Sequence, residues 1–158
     1  MNAVINYQET TPPLVNLLLR GLPYVKTGRV EELHHAKELI KLLLNAPKTT
    51  KSLVLYRGVI PNDKINYTHD YFDKGIISTA KCAGVASLFA ENGGHVLKLH
   101  VPSNTPVLYL DDYNPYSFEP EEVLLPPGSF TNRKIDEEYI QFDYTPSYDL
   151  DEMISKIE

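Results

Sequence analysis

Polar residues stand at three points where the chain otherwise predicts short apolar strands. Arg57 follows one apolar run, the pair Ser78-Thr79 follows another, and Glu122 begins a third. A guanidinium presents forked donors that match phosphate oxygens. A hydroxyl can donate one hydrogen bond, and a carboxylate is a fixed negative charge that stabilises positive charge developing nearby. Together they are the residue types of a site that binds an anion and stabilises a cation.

Each of these residues also has an ordinary interpretation when it is taken alone. An arginine before a glycine, as in Arg57-Gly58, is usually a surface residue. A Ser-Thr pair before a helix is usually a cap, and a glutamate before an apolar run usually lies at a solvated edge. Only their joint order along the chain, at positions 57, 78 and 122, favours a site.

Helices are predicted in the first part of the chain. Pro12 and Pro13 open an apolar segment that runs through Leu19, and Gly21 stands where a left-handed helix stop is expected. Between Arg29 and Asn45 the apolar residues recur at helical spacing, which predicts an amphipathic helix.

Strands are predicted from residue 52 onward, because the apolar runs become short and are bounded by turn residues. The predicted strands are Leu53–Tyr56, Gly75–Ser78, His95–Val101, Pro106–Leu110, Glu121–Leu125 and Tyr139–Tyr144. A further helix is predicted over Lys81–Glu91, capped by Ser78 or Thr79. The acidic segment Asp149–Glu158 fits a short terminal helix and a frayed tail equally well. Helices followed by strands predict an α+β domain.

Composition limits the classes of protein that are possible. The chain has 158 residues and a formal net charge of −6, which predicts one domain and argues against bulk nucleic-acid binding. A single cysteine excludes a disulfide framework. No apolar stretch approaches the roughly 20 residues of a membrane span. Met1–Tyr7 lacks a secretory signal pattern, so we expect the protein in the cytoplasm of the producing cell, or of a host cell if it is viral or injected.

Other residues that could carry chemistry are less informative. His34 and His35 are neighbours on a helix and point about 100 degrees apart, so a shared metal is not predicted. His95 and His100 fall on opposite faces of a strand. We expect Cys82 to be buried as a small apolar residue. The sequence contains neither a Gly-x-Gly-x-x-Gly fingerprint nor a Gly-x-x-x-x-Gly-Lys phosphate loop.

The joint pattern resembles the Arg-Ser-Glu class of mono-ADP-ribosyltransferases. It consists of Tyr-Arg-Gly at 56–58, Ser-Thr at 78–79 and Glu-Val-Leu-Leu-Pro at 122–126. The stretch 96–110 is similar to paired strands of the clostridial and bacillary toxin branch, and 15–20 is similar to that branch's Ile-Asn-x-x-Leu-Arg helix. The likeness covers roughly Ile5 to Tyr144.

This resemblance implies cleavage of NAD at the bond between nicotinamide and ribose, with no metal. Glu122 would bond the ribose 2′-hydroxyl and stabilise the oxocarbenium ion, and Ser78 would orient it. Arg57 would bind the dinucleotide, as would Thr79, and the backbone of Gly58 would bond the nicotinamide amide.

Two more residues are implied as NAD ligands by the same resemblance. Asn16 and Arg20 are four residues apart, which places them on one helix face. Arg20 would contact phosphate, or it would simply sit in the last turn of its helix, where the dipole favours a cation.

The chain also departs from the family pattern. Ala80 replaces the last residue of the usual Ser-Thr-Ser, and Pro120 stands two positions before Glu122, where many members carry Glu or Gln. A proline cannot bond a guanidinium, and Glu119 would substitute only if the preceding loop is one residue shorter. Neither Glu119 nor Glu121 is assigned.

The loop at 111–121 is expected to recognise the target. It immediately precedes Glu122 and carries Tyr113, Tyr116, Phe118 and Glu119, whose aromatic members suit a protein partner.

The resemblance implies a single domain over residues 1–158 with amino-terminal helices packed on two roughly perpendicular sheets. We expect it to transfer ADP-ribose from NAD to a side chain of a macromolecular target, with a protein as the favoured class. Three alternatives stay open: an NAD glycohydrolase, a binding module of this fold that has lost the reaction, and a non-enzymatic protein whose aromatic loop docks a partner.

Overall fold

The computed structural model describes residues 3–9, 14–23, 28–61, 66–90, 93–114 and 121–158. Five helices lie in these ranges: α1 Ala3–Glu9, α2 Leu14–Leu19, α3 Val30–Leu44, α4 Ala83–Ser87 and α5 Leu150–Ile157. Eight strands accompany them: β1 Leu53–Val59, β2 Tyr71–Asp73, β3 Ile77–Ala80, β4 His95–Val101, β5 Leu108–Tyr109, β6 Glu122–Leu125, β7 Gly128–Ile135 and β8 Ile140–Pro146. The predicted α+β class is confirmed.

The strands pair in the order β2-β7-β8-β4-β1-β3-β6-β5. All pairs are antiparallel except β4 with β8. The register between β1 and β3 consists of Tyr56 opposite Ala80 alone, so a five-stranded part meets a three-stranded part at this point. The described strands thus form one eight-stranded sheet that narrows to a single residue pair between β1 and β3, and its division into two roughly perpendicular sheets stays a prediction.

Two hydrophobic clusters lie on opposite faces of the three-stranded part. Helices α1, α2, α3 and α5 pack on one face, and their cluster includes Leu124. Val123 and Leu125 belong to the second cluster, which side chains of the strands form with one another. Side chains alternate along a strand, so Glu122 shares the helix-covered face with Leu124. The position that the sequence predicts as catalytic therefore faces the helices.

The third predicted helix begins later and ends earlier than expected. It covers Ala83–Ser87 rather than Lys81–Glu91, and Cys82 is its N-cap residue without a side-chain cap bond. Ser78 and Thr79 are not caps, because both pair with β6 as strand residues. The cap prediction was wrong because the ladder to β6 competes for these two residues.

Three elements have no counterpart among the predicted ones: α1, β2 and β7. Strand β7 was missed because its sequence is largely polar, its last residues are exposed, and its pairing with β8 shifts between Thr131 and Lys134.

The acidic carboxyl-terminal segment, for which a helix and a frayed tail were both possible, forms the helix α5. The Asp149 side chain accepts a hydrogen bond from the backbone N–H of Glu152 at 2.8 Å, which caps it. Within the described ranges, no helix has the length and apolar character needed to cross a bilayer.

Candidate active site

The Glu122 carboxylate is buried and held through both oxygens. The residue is only 5% exposed. Ser78 Oγ donates to its Oε2 at 2.6 Å, and Gln8 Nε2 donates to its Oε1 at 3.0 Å. Burial of an unpaired carboxylate is costly, so these two donors are what make the position tolerable. The result is a negative charge with a fixed orientation.

The register of β3 with β6 explains why Ser78 reaches Glu122. Ser78 stands opposite Leu124, and Ala80 stands opposite Glu122. Ser78 and Glu122 are therefore diagonal neighbours on one face of the sheet, within reach of each other. Thr79 points to the other face, where its Oγ1 donates to the Val123 carbonyl at 2.7 Å.

Arg57 completes a connected group with Ser78 and Glu122. Its Nη1 donates to the Ser78 carbonyl at 2.8 Å, and the residue is half-buried. That bond uses one of the five N–H donors that a guanidinium carries. The structure thus brings together the three residues that carried the sequence pattern. Their contacts with NAD stay predictions.

Gly58 and Ala80 are both explained by packing. A Cβ at Gly58 would lie 2.0 Å from the Ala86 carbonyl oxygen and 2.9 Å from the Phe89 Cβ, so the α4 segment approaches the strand too closely for a side chain. Ala80 is buried where β3 contacts both β1 and β6. The contact of the Gly58 backbone with nicotinamide stays a prediction.

Asn16 clamps the chain that leads into β3. Its Oδ1 accepts from the Ile76 N–H at 2.8 Å, and its Nδ2 donates to the Ile76 carbonyl at 3.2 Å. The pair is buried. Asn16 therefore acts here as a substitute strand neighbour for Ile76, and its predicted contact with NAD stays a prediction.

Arg20 lies just beyond the end of α2 and pairs with a buried carboxylate that the sequence analysis did not identify. Its Nε donates to Asp73 Oδ1 at 2.9 Å and its Nη2 to Asp73 Oδ2 at 3.1 Å. The guanidinium lies against Gly75, where a Cβ would be 2.4 Å from Arg20 Nε. Arg20 and Asn16 share one face as predicted, since both donate to the Ile76 carbonyl. This ion pair positions the entry to β3, whether or not Arg20 also binds phosphate.

Helix α1 supplies two residues that sequence reasoning missed, Tyr7 and Gln8. Tyr7 is buried with Ala3 and Val4 against the helical cluster. Burial raises the pKa of the Tyr7 phenol above its ordinary value of 10.0, and the negative charge of Glu122 raises this pKa further. Burial and the charge of Glu122 thus both favour the neutral form of the Tyr7 phenol. The spacing of Val4 and Tyr7 could have indicated a short helix, whereas nothing distinguished Gln8.

The remaining candidates lie apart from this group. Cys82 is exposed, which corrects the expected burial, because it precedes α4 instead of lying inside it. His100 Nε2 and Gln141 Oε1 are hydrogen-bonded at 2.9 Å, and His35 Nε2 lies 3.5 Å from Glu31 Oε1. Across the described part of the chain, no cluster of three or more His, Cys, Asp or Glu side chains could hold a metal.

The loop expected to recognise a target is described only at its two ends. Tyr116, Phe118, Glu119 and Pro120 lie outside the described residues. At the carboxyl end Glu121 has a φ of 62°, and its N–H donates to Asp111 Oδ2 at 3.1 Å. Glu121 is therefore a turn residue that precedes β6, rather than the first residue of the strand.

The chain is similar in fold to several solved structures, ADP-ribosyltransferases among them. Plx2a, an ADP-ribosyltransferase toxin from Paenibacillus larvae, is 21% identical with a TM-score of 0.62, over 90% of this chain and 82% of that one. The Clostridium limosum C3 exoenzyme is 18% identical with a TM-score of 0.60, over 92% and 83%. Exoenzyme S from Pseudomonas aeruginosa, solved with human 14-3-3 protein beta and carba-NAD, is 15% identical with a TM-score of 0.60, over 90% and 72%.

No protein-family model and no curated protein matches the sequence. The structural likeness shows that the chain has the ADP-ribosyltransferase fold, and it confirms the resemblance to toxin catalytic domains. At these identities the likeness establishes the fold alone, since one fold can carry different activities.

The Asn16 clamp predicts a specific loss of stability. Asn16→Ala leaves the buried N–H and carbonyl of Ile76 without their amide partner, at a cost of about 2 to 3 kcal/mol in the free energy of unfolding. Asn45→Ala is the matched control, since Asn45 is exposed and its side chain bonds the Lys41 carbonyl of its own helix. It should change stability by less than about 1 kcal/mol. Urea unfolding measures both, and equal losses would refute the clamp.

Proposed function

We propose that this protein is an NAD-dependent mono-ADP-ribosyltransferase, which cleaves NAD at the bond between nicotinamide and ribose and transfers ADP-ribose to a side chain of a protein target. One observation carries the proposal: Ser78 and Gln8 hold the buried Glu122 carboxylate, and Arg57 bonds the Ser78 carbonyl. The ADP-ribosyltransferase fold supports it.

The charge of Glu122 suits the departure of nicotinamide. Nicotinamide leaves NAD as a neutral base while positive charge grows on the ribose, so the useful catalytic group is an anion that is already in place. Only an interaction stronger in the transition state than in the ground state accelerates the reaction. Because the Glu122 carboxylate is buried and fixed, it stabilises this charge without first reorganising.

Arg57 suits the other end of the substrate, where the diphosphate carries negative charge. A guanidinium makes paired donor contacts with phosphate oxygens. Its bond to the Ser78 carbonyl holds the side chain against the strand whose Ser78 hydroxyl bonds Glu122. One residue would thus bind the phosphates while the neighbouring one stabilises the reacting sugar.

The acceptor decides between transfer and hydrolysis. With a protein side chain at the reacting carbon the product is ADP-ribosylated protein, and with water it is free ADP-ribose. Tyr113, at the described end of the predicted target loop, is exposed, which leaves it available to a partner. Transfer to a protein is therefore the proposal, with NAD hydrolysis as the reaction in the absence of a target.

Incubation of the protein with labelled NAD and a cell lysate tests this function. We expect label on a discrete protein band, nicotinamide release with or without lysate, and a modified side chain that mass spectrometry identifies. Label recovered only as free ADP-ribose would establish a glycohydrolase instead. A protein that binds NAD but releases no nicotinamide would be a binding module of this fold.

The role of Arg57 predicts how NAD stabilises the protein. A ligand that binds only the folded state raises the melting temperature. Arg57→Ala should weaken NAD binding by roughly tenfold or more, since a hydrogen bond to a charged group is worth about 1.5 to 3 kcal/mol.

Arg29→Ala is the control for Arg57→Ala. It removes the same charge from the start of α3, where Arg29 lies 4.0 Å from the Glu32 carboxylate. NAD titrations followed by thermal shift should separate the two variants. Equal NAD affinity of the parent protein and a folded Arg57→Ala variant would contradict the assignment.

A further inference from the structure

A chain of side-chain amides reaches Glu122 from the side opposite Ser78. Asn114 Nδ2 donates to Gln8 Oε1 at 2.6 Å, and Gln8 Nε2 donates to Glu122 Oε1 at 3.0 Å. Asn114 follows the 3₁₀ turn Leu110–Asp112, and its own N–H is bonded to the Leu110 carbonyl at 2.9 Å. Three separate elements, α1, this turn and β6, therefore meet in one hydrogen-bonded line.

The hydrogen-bonding capacity of these groups fixes the orientation of both amides. An ionised carboxylate accepts hydrogen bonds and donates none, so Gln8 has to present its NH₂ group to Glu122. The Gln8 carbonyl oxygen then faces Asn114, which has to present its own NH₂ group. Reversal of either amide would place two acceptors or two donors in contact. The chain thus has one satisfied arrangement.

Helix α1 is attached to the core by side chains other than Gln8. Val4 and Tyr7 supply that attachment, and both are buried in the helical cluster. Gln8 is half-buried and lies one turn after Val4, with its polar end on Glu122. Its contact with the carboxylate is a separate feature of the helix.

A carboxylate that is held through one oxygen can still rotate, whereas one held through both oxygens cannot do so freely. Ser78 fixes Oε2 and Gln8 fixes Oε1, from β3 and α1 respectively. A site that depends on a fixed charge needs this second support, since small misplacements of a reacting group lower the rate.

We propose that Gln8 is a positioning residue for Glu122 and that Asn114 acts through Gln8 by fixing the orientation of its amide. This inference rests on the proposed function and names two residues outside the Arg57, Ser78 and Glu122 pattern. Gln8 and Asn114 together are called the amide pair below.

Gln8→Met tests the amide pair, because methionine has a similar length and offers no amide donor. We expect the kcat for nicotinamide release to fall roughly tenfold, less than the roughly 10² to 10³ seen when a group that acts directly on the transition state is removed. The KM for NAD should be unchanged, since Gln8 orients the catalytic carboxylate rather than binding NAD. Gln141→Met is the matched control: Gln141 also joins two polar side chains, on β8 four strands away from β6, and its loss should leave kcat at the parent value.

Asn114→Ala then tests the order of action. It should lower kcat in the parent background and cause no further loss in the Gln8→Met background, because coupled residues are not additive. A folded Gln8→Met variant with parent kcat, a change confined to KM, or full additivity of the two substitutions would each overturn the proposal.

A spectroscopic measurement keeps this test separate from the proposed function. The side-chain NH₂ signal of Gln8, assigned by its loss in Gln8→Met, should shift in Asn114→Ala and in Glu122→Gln, and it should not move in Gln141→Met. If the parent protein releases no nicotinamide, the proposed function fails, while this signal still shows whether the amide pair holds Glu122. A Gln8 signal that stays at the same chemical shift in both Asn114→Ala and Glu122→Gln would overturn the inference.

Discussion

A negative charge is buried at the start of β6, and much of the structure is arranged to hold it there. Removing a carboxylate from water costs several kcal/mol unless hydrogen bonds replace its hydration. Glu122 receives those bonds from Ser78 and Gln8, which belong to a neighbouring strand and to a helix from the other end of the chain. The charge therefore requires both the β3–β6 register and the docking of α1.

The register of β3 depends in turn on α2 and the residue that follows it. Asn16 bonds both backbone polar groups of Ile76. Arg20 is paired with Asp73, which precedes Ile76 in the chain by three residues. Ile76 and Ile77 then enter opposite hydrophobic clusters, which fixes the alternation of the strand. A slip of one residue would turn Ser78 away from Glu122 and bury the wrong side chains. The residues that the resemblance placed on NAD thus also build the frame of the site.

Two kinds of feature could be predicted from the sequence: elements whose apolar residues recur at regular spacing, and the polar residues of the site. The amphipathic spacing of α3 and the alternation in β4 predicted those elements, and the pattern of Arg57, Ser78 and Glu122 indicated the fold. The resemblance implied Ser78 as the residue that orients Glu122, whereas the other partners of these residues were not predicted. An uncharged glutamine in a seven-residue helix has no signature in the sequence, so Gln8 was missed.

The proposed chemistry depends most directly on Glu122. One comparison tests this dependence: the rate of nicotinamide release at saturating NAD in Glu122→Gln and Glu121→Gln variants, with circular dichroism to confirm folding. The amide keeps the shape and removes the charge. We predict a loss of roughly 10² to 10³ for Glu122→Gln. Glu121→Gln should stay near the parent rate, because Glu121 is a turn residue whose N–H bonds Asp111. Parent-like turnover in a folded Glu122→Gln variant would contradict the catalytic role of Glu122.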